Sequence, residues 1–311
     1  MHVYVSGSLA LDRIMNFPGK FADHILPDKI HILNVCFLVD GLCEYFGGTA
    51  GNIAYNLALM GEKPLILGCV GKDFAAYGQR LDGLGLSRAG IRTVEDQFTA
   101  GAYITTDQTD NQITGFNPGA MRERCGYTFP EKHDGKVMAI ISPGNVGDMI
   151  ELPEYFKKAN IPYIFDPGQQ ITALTGEQMK AAIDGSYALC TNDYELEMVM
   201  KATGMTRAEL LNKTGALVTT LGEQGSLIAE GGNEAKVGAV KVDKAVDPTG
   251  AGDSYRAGLL KGLGLGWSLA DAAMVGAAAA AFCVEKKGTQ EHHFTLAELS
   301  ARMEKTFGKT L

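Results

Sequence analysis

Three stretches of this chain could do chemistry on a hydroxyl and an anion. The first is Asp247-Pro-Thr-Gly-Ala-Gly-Asp253, followed by an amphipathic run from Ser254 to Leu263. Gly250 and Gly252 permit a tight turn and close approach of a ligand. The amides of Gly250 to Asp253 would then point out of a helix N-terminus, where the helix dipole favours negative charge. A carboxylate at that place would repel a phosphate. It makes sense if Asp253 takes the proton of a hydroxyl that attacks the anion. On local chemistry alone, Asp253 could equally be a helix cap. The second stretch is Gly47-Gly48-Thr49-Ala50-Gly51-Asn52, also at a helix start. Asn52 offers both donor and acceptor to hydroxyls. Taken alone, a glycine-rich strand-to-helix turn is the simpler account. The third is Asp12, at the end of Ser6-Gly-Ser-Leu-Ala-Leu-Asp12. A carboxylate beyond the first strand can accept two hydrogen bonds from adjacent sugar hydroxyls, since open α/β sheets bind ligands there. A silent turn or cap aspartate is the alternative.

Such residues need a frame. Short β-rich runs alternate with helix-like runs. The pattern predicts strands at Val3–Gly7, Pro64–Val70, Val137–Ser142, Tyr163–Asp166, Tyr187–Thr191, Ala216–Leu221 and Ser226–Ala229. Several are apolar throughout, as in parallel strands covered on both faces. Helices are predicted at Gly51–Met60, Asp148–Ala159, Thr175–Ile183, Glu195–Thr203 and Asp253–Leu263. The alternation argues for a doubly wound, mostly parallel α/β sheet. Two segments break the rhythm. Asp12 to Phe46 contains β-like pieces at Ile30–Val39, and Phe98 to Phe116 reads as a polar hairpin turning at Asp107–Asn111. Together they could form a small sheet beside the main one, suited to act as a lid.

Composition narrows the class. A length of 311 residues suits one large α/β domain with an appendage, or two domains. The 39 glycines suggest many tight turns and close approaches to ligands. A net charge of −8 argues against nucleic-acid binding, which requires a basic surface. No signal peptide is visible, and the apolar run Ala272–Val284 is too short for a membrane span, so a soluble cytoplasmic protein is expected. The cysteines at 36, 43, 69, 125, 190 and 283 form no C-x-x-C pair and read as buried free thiols.

The glycine motif at 47–52, Asn192-Asp193-Tyr194-Glu195 in the middle and Asp247–Asp253 near the end resemble, in that order, the ribokinase-type (PfkB) carbohydrate and nucleoside kinases. Thr219-Thr-Leu-Gly-Glu-Gln-Gly225 is similar to the nucleotide loop of that family, and Gly288-Thr-Gln290 to a further stretch near the nucleotide. The resemblance covers essentially the whole chain. It implies one ribokinase-like α/β domain over 1–311 with a small β lid from about 13–46 and 98–118. Pro248 departs from the usual threonine and removes one amide, outside the Gly250–Asp253 group. Phe17–Phe21, Leu26-Pro27, Phe37–Asp40, Phe116–Met121 and Asp166–Gln170 resemble more narrowly the bacterial ribokinase-like adenosine kinases, in which a proline also occurs at this position.

The resemblance implies an ATP-dependent kinase acting on the 5′-hydroxyl of a purine nucleoside, adenosine to AMP, as in purine salvage. Asp253 would be the base, with the amides of Gly250, Ala251 and Gly252 around the phosphoryl group. Asp12 would grip the ribose hydroxyls, helped by Gly48 and Asn52. Ser8, Gln169 and Gln170 would surround the base, and Phe116 would stack on it. Asn192 and Glu195 would organise Mg²⁺ through water. Thr220, Gly222 and Gly225 would line the ATP site, and the Asp247 loop would sit over a monovalent cation, K⁺. Related adenosine kinases carry an aromatic residue where this chain has Ala102. Tyr103 beside it faces the other way, so the base pocket is expected to be wider. Cys36, in the lid, suggests a homodimer joined through the lids.

Other signals are decoys. Gly308-Lys-Thr310 lacks the first glycine of a phosphate loop, since residue 303 is Met303, and Gly68–Lys72 is too short. His292-His293 is expected at the surface. Ala277–Ala281 reads as close helix packing. A sugar kinase on the same scaffold is the competing reading; for a phosphorylated sugar, Ser6–Asp12 and Gly47–Asn52 lack the basic residues. A nucleotide sensor without activity would not need Asp253.

Overall fold

A computed structural model describes residues 1–133 and 135–311. The chain enters on β1 (His2–Ser6), passes into β2 (Ala10–Asn16), makes a 3₁₀ turn at Pro27–Ile32 and returns on β3 (Asp40–Gly47). Next come α1 (Thr49–Leu59), β4 (Leu65–Gly71), α2 (Ala75–Gly83) and β5 (Ile91–Val94), then the hairpin β6 (Ala100–Thr106) and β7 (Gln112–Asn117). Strands and helices then alternate through β8 (Val137–Ile141), α3 (Val146–Lys158), β9 (Tyr163–Phe165), α4 (Gly176–Ile183) and β10 (Ala188–Asn192). α5 (Asp193–Thr203), α6 (Arg207–Leu211), β11 (Ala216–Thr220), β12 (Ser226–Glu230), β13 (Asn233–Val237), α7 (Ala251–Gly264), α8 (Leu269–Val284) and α9 (Leu296–Phe307) follow. The strands and helices expected of the main sheet all form, with ends moved by no more than two residues.

The described residues form two sheets. The large one has the order β13-β12-β11-β10-β9-β8-β1-β4-β5 and is parallel except at β12 and β13. The chain builds outward from β1 in both directions, so the exits of β1 and β8 form a switch point, where such sheets bind ligands. Pleating sends Val3 and Val5 of β1 to one face and Tyr4 to the other. The first face is covered by α1, α2, α7, α8 and α9, the second by α3 to α6.

The small sheet has the order β3-β2-β6-β7. It corrects one expectation. Ile30–Val39 holds no strand; β2 and β3 supply the first half of the lid instead, so Asp12, which does follow the first strand, lies within the small sheet. Pro27 starts a 3₁₀ turn, and Phe37 leaves any ladder to join an aromatic cluster with Phe17, Phe21 and His24. The cysteines also divide. Cys69, Cys125, Cys190 and Cys283 are buried as expected, whereas Cys36 and Cys43 are exposed on the lid.

α7 owes its position to α8. A Cβ at Gly258 would lie 2.6 Å from the Cα of Gly276, and one at Gly262 would lie 2.5 Å from the Cα of Ala272. The helices therefore touch backbone to backbone, with alanines filling the face of α8. Gly258→Ala is expected to cost about 1–3 kcal/mol by overpacking, read as a lowered denaturant midpoint. An unchanged midpoint would mean that the helix pair separates freely.

Candidate active site

The N-terminus of α7 is the centre of the site. Gly250 caps it at φ +81°, a left-handed conformation that glycine tolerates. Ala251 donates its amide back to Pro248 O at 3.2 Å, so it is already used and cannot serve an anion freely, contrary to expectation. The amides of Gly250, Gly252 and Asp253 have no acceptor among the described residues. An anion at this mouth would meet those donors and the positive end of a fourteen-residue helix.

Asp253 is not a cap, because its side chain turns toward α1. Its Oδ2 accepts a hydrogen bond from Asn52 Nδ2 at 2.8 Å. Burial raises its pKa to about 6, with the Asn52 bond and Arg256 pulling down and Glu195 adding to the rise. Asn52 is 3% exposed, and its own orientation is set from behind. Gln290 Nε2 donates to Asn52 Oδ1 at 3.0 Å and to the Tyr77 hydroxyl at 2.7 Å, and that hydroxyl donates to Gly47 O at 2.8 Å. Asn52 thus orients the carboxylate, where a direct contact with sugar hydroxyls was expected. Gln290 and Tyr77 were not assigned these roles from sequence, because nothing local connects positions 52, 77 and 290.

Asp12 closes the same neighbourhood from the lid. It pairs with Tyr45 on β3 and Ala102 on β6, and Ala102 pairs with Phe116 on β7. Residues opposite one another in a ladder share a face, so Asp12, Ala102 and Phe116 form one row. The next row, Glu44, Arg13 and Tyr103, faces away, and Arg13 binds both Glu44 and the Tyr103 hydroxyl. Tyr103 therefore cannot substitute for Ala102, as expected. The Asp12 carboxylate has no hydrogen-bond donor among the described residues, and its pKa is raised by burial and by the charge of Asp247. A Cβ on Gly47 would lie 2.6 Å from its Oδ2, so Asp12 packs against the segment that Tyr77 anchors. Phe116 is 53% exposed and free to meet a ligand.

The remaining candidates divide. Gly48 holds φ +87°, and a Cβ there would lie 2.6 Å from Ala10 N, so the turn into α1 demands glycine. Ser8 is committed to structure: its hydroxyl accepts the Thr49 amide at 3.0 Å, and Thr49 Oγ1 donates to Pro143 O at 2.7 Å. It pins α1 to the exits of β1 and β8 and is poorly placed to read a base. Gln170 donates to Gly144 O at 2.8 Å, while Gln169 is exposed. Asn192 and Thr220 lie side by side at the ends of β10 and β11. Asn192 caps α5 in a reciprocal box with Glu195, at 2.7 and 2.8 Å. Gly222 and Gly225 shape the loop after β11, closed by Leu221 N to Gly225 O at 2.7 Å. Asp247 accepts the amides of Thr249 at 2.9 Å and Gly288 at 3.0 Å, which hold its carboxyl below the ordinary range despite burial. Among the described residues no cluster of three or more His, Cys, Asp or Glu could hold a metal alone. One carboxylate with waters and phosphates is the usual setting for Mg²⁺, and Glu195 suits it: only its Oε2 is engaged in the cap.

His292 overturns its expectation. It is 1% exposed, with Nε2 2.8 Å from Asn56 Oδ1, and the Tyr55 hydroxyl donates to its carbonyl. Asn56 gives its amide nitrogen to Asn52 O, so Nε2 carries the proton. Burial lowers the pKa to about 4, with His293 and Arg80 adding to the effect, and the ring stays neutral. His293 is exposed as expected.

The chain that builds this site has relatives. The model of the pfkB family carbohydrate kinases matches residues 22–295. A nucleoside kinase from Methanocaldococcus jannaschii is 32% identical over 307 residues, covering 96% of this chain and 95% of its own. Among solved structures, the Burkholderia thailandensis nucleoside kinase in complex with inosine is 37% identical, with a TM-score of 0.85 over 99% of both chains. That of the Methanocaldococcus jannaschii nucleoside kinase is 31% identical, with a TM-score of 0.86 over 98% of both. The fold is that of the ribokinases, and the chain belongs to the pfkB family of carbohydrate kinases. It is an ATP-dependent kinase that phosphorylates a hydroxyl group. The sensor reading falls away. No helix among the described residues is long and apolar enough to cross a membrane.

The raised pKa of Asp253 gives a prediction that needs no activity assay. The unfolded chain ionises this carboxyl near the ordinary value of about 3.9, the folded one near 6. Between those values only the unfolded state loses its proton, so stability falls as pH rises through the window and the cost is complete above pH 6. Asp253→Asn removes that cost. Its melting temperature is expected to match wild type near pH 4 and exceed it above pH 6. Parallel melting curves from pH 4 to 8 would refute the assignment.

Proposed function

We propose that the protein is a nucleoside kinase that transfers the γ-phosphate of ATP to the 5′-hydroxyl of a purine nucleoside, with adenosine the expected acceptor and AMP the product, a purine-salvage reaction. The observation that carries the reading is the row Asp12, Ala102 and Phe116 across one lid face. A carboxylate without a partner suits the vicinal hydroxyls of a ribose. An exposed ring on the same face suits a base, a contact worth roughly 1 kcal/mol. The relatives named as nucleoside kinases support the same acceptor class, one of them with inosine bound.

In this reading Asp253 receives the 5′-hydroxyl proton, oriented by Asn52. Oxygen attacks the γ-phosphorus at the mouth of α7, where the amides of Gly250, Gly252 and Asp253 bind the transferring group. Thr220, Gly222 and Gly225 line the nucleotide, next to Asn192. Mg²⁺ would be held through water by Glu195 and would neutralise phosphate charge. The oxygen ligands of the Asp247 loop suit K⁺. The small sheet closes over the acceptor as a lid.

Turnover should be compared for adenosine, inosine, guanosine, cytidine, ribose and fructose 6-phosphate with Mg-ATP, with K⁺ present and omitted. Purine nucleosides are expected to lead; turnover of a free sugar alone would refute the reading. Asp253→Asn is expected to lower kcat by roughly 10²–10⁴-fold. The wild-type kcat/KM should fall below pH 6, as Asp253 takes up its proton.

We also propose a homodimer joined through the lids. β3 and β7 are the free edges of the small sheet, and Leu26, Ile32, Leu38 and Leu42 are exposed on or near β3, Leu38 at 85%. Exposed edges and apolar side chains favour a second sheet. Sedimentation should give a dimer that Leu38→Asp weakens; a monomer at micromolar concentration would exclude it.

A further inference from the structure

Arg256 lies one turn after Asp253, on the inward face of α7. It is 5% exposed, unusual for arginine. Asp166, just beyond β9, grips one edge of its guanidinium: Nε to Oδ2 is 2.5 Å and Nη2 to Oδ1 is 2.7 Å. Glu195 lies 3.9 Å from Nη2. A buried pair of this kind could be purely structural, charge matched with charge.

The third nitrogen points elsewhere. Nη1 has no acceptor among the described residues. It leans back along the helix, as long helical side chains do, until a Cβ built on Gly252 would stand 2.8 Å from it. The free amides of Gly250, Gly252 and Asp253 occupy the same mouth. One charged donor and three neutral ones therefore converge where an anion would sit. The need for a cation there is plain. Asp166, Glu195 and Asp253 are three carboxylates around this point, and without Arg256 an incoming phosphate would meet negative charge on several sides.

We propose that Arg256 is a catalytic residue of the phosphoryl transfer, its Nη1 donating to the transferring group while Asp166 holds the guanidinium in place. The inference rests on the proposed transfer site at Asp253. In the step, a bond forms from the acceptor oxygen to the γ-phosphorus, and the bond from that phosphorus to the β–γ bridging oxygen breaks. ADP leaves with the bond's electron pair, and the acceptor's proton passes to Asp253. Arg256 gives up no proton; its charge-assisted hydrogen bond stabilises the equatorial oxygens. Arginine suits the place because its fork can bind a carboxylate with one edge and leave another donor free. The missing side chain at Gly252 keeps that donor at the mouth.

Removing Arg256 alone would strand Asp166 buried and unpaired, so the test uses the double variant Asp166→Asn/Arg256→Gln, which replaces the pair with neutral partners. The folded double variant is expected to lose roughly 10²–10³-fold in kcat, as when one donor to a developing charge is removed, with the nucleoside KM near wild type. Trapping of ADP with aluminium fluoride and nucleoside should weaken in parallel. Gly252→Ala, which leaves the ion pair intact but crowds Nη1, should lose kcat in the same direction. A folded double variant within about threefold of wild-type kcat, or a Gly252→Ala enzyme at full rate, would overturn the proposal. Asp253→Asn is assayed alongside. If it is inactive while these variants are normal, only the role of Arg256 fails; if it turns over normally, the transfer site itself is misplaced.

Discussion

The hydrogen bond from Asn52 to Asp253 joins positions 201 residues apart, and the site is organised around it. It sets a carboxylate at the positive end of a helix while leaving the amides of Gly250, Gly252 and Asp253 free. It also determines how acidic the carboxylate is, because burial alone would raise its pKa further. Asn52 can do this only with its amide turned one way. Gln290 enforces that rotation, Tyr77 holds Gln290, and Gly47 holds Tyr77. Gly47 in turn abuts Asp12. One buried chain of hydrogen bonds thus runs from the candidate base to the backbone of Gly47, against which the candidate sugar-binding carboxylate packs. The side chains of Asn52, Gln290 and Tyr77 in it would each be costly to bury without a partner.

The scaffold keeps these links in register by close contact. α7 is pressed against α8 through Gly258 and Gly276, so its N-terminus has little freedom to shift. α1 is tied to the exits of β1 and β8 by Thr49, Ser8 and Ser142. The two helix starts that meet at Asn52 and Asp253 are therefore both fixed to the body of the molecule. The lid is different in kind. Its outer strands are exposed, and its candidate acceptor residues, Asp12 and Phe116, lie one in β2 and one in the edge strand β7. Close packing at the start of α7 and exposure along the small sheet are properties of separate parts of the molecule.

Local chemistry in the sequence was enough to determine the doubly wound sheet, the helix start at Asp253 and the polar hairpin at 98–116, because each depends on neighbours within a few positions. Apolar runs, glycines before a helix and a turn rich in Asp and Asn carry their meaning locally. The same locality explains the failures. Ile30–Val39 has the side chains of a strand, but Pro27 and the Phe17–Phe21–Phe37 cluster decided otherwise. His292 looks like a surface residue beside His293, and only Asn56 and Tyr55 on α1 make its burial affordable. Asn52 is engaged by Asp253 and Ser8 by Thr49, partners that no local pattern names, since what a polar side chain does depends on which partner reaches it first. The chemistry available to this protein was thus written in the residue types. Which groups face the ligand and which merely hold others in place was decided by tertiary contacts, because hydrogen bonds and buried charges are settled between segments far apart in the chain.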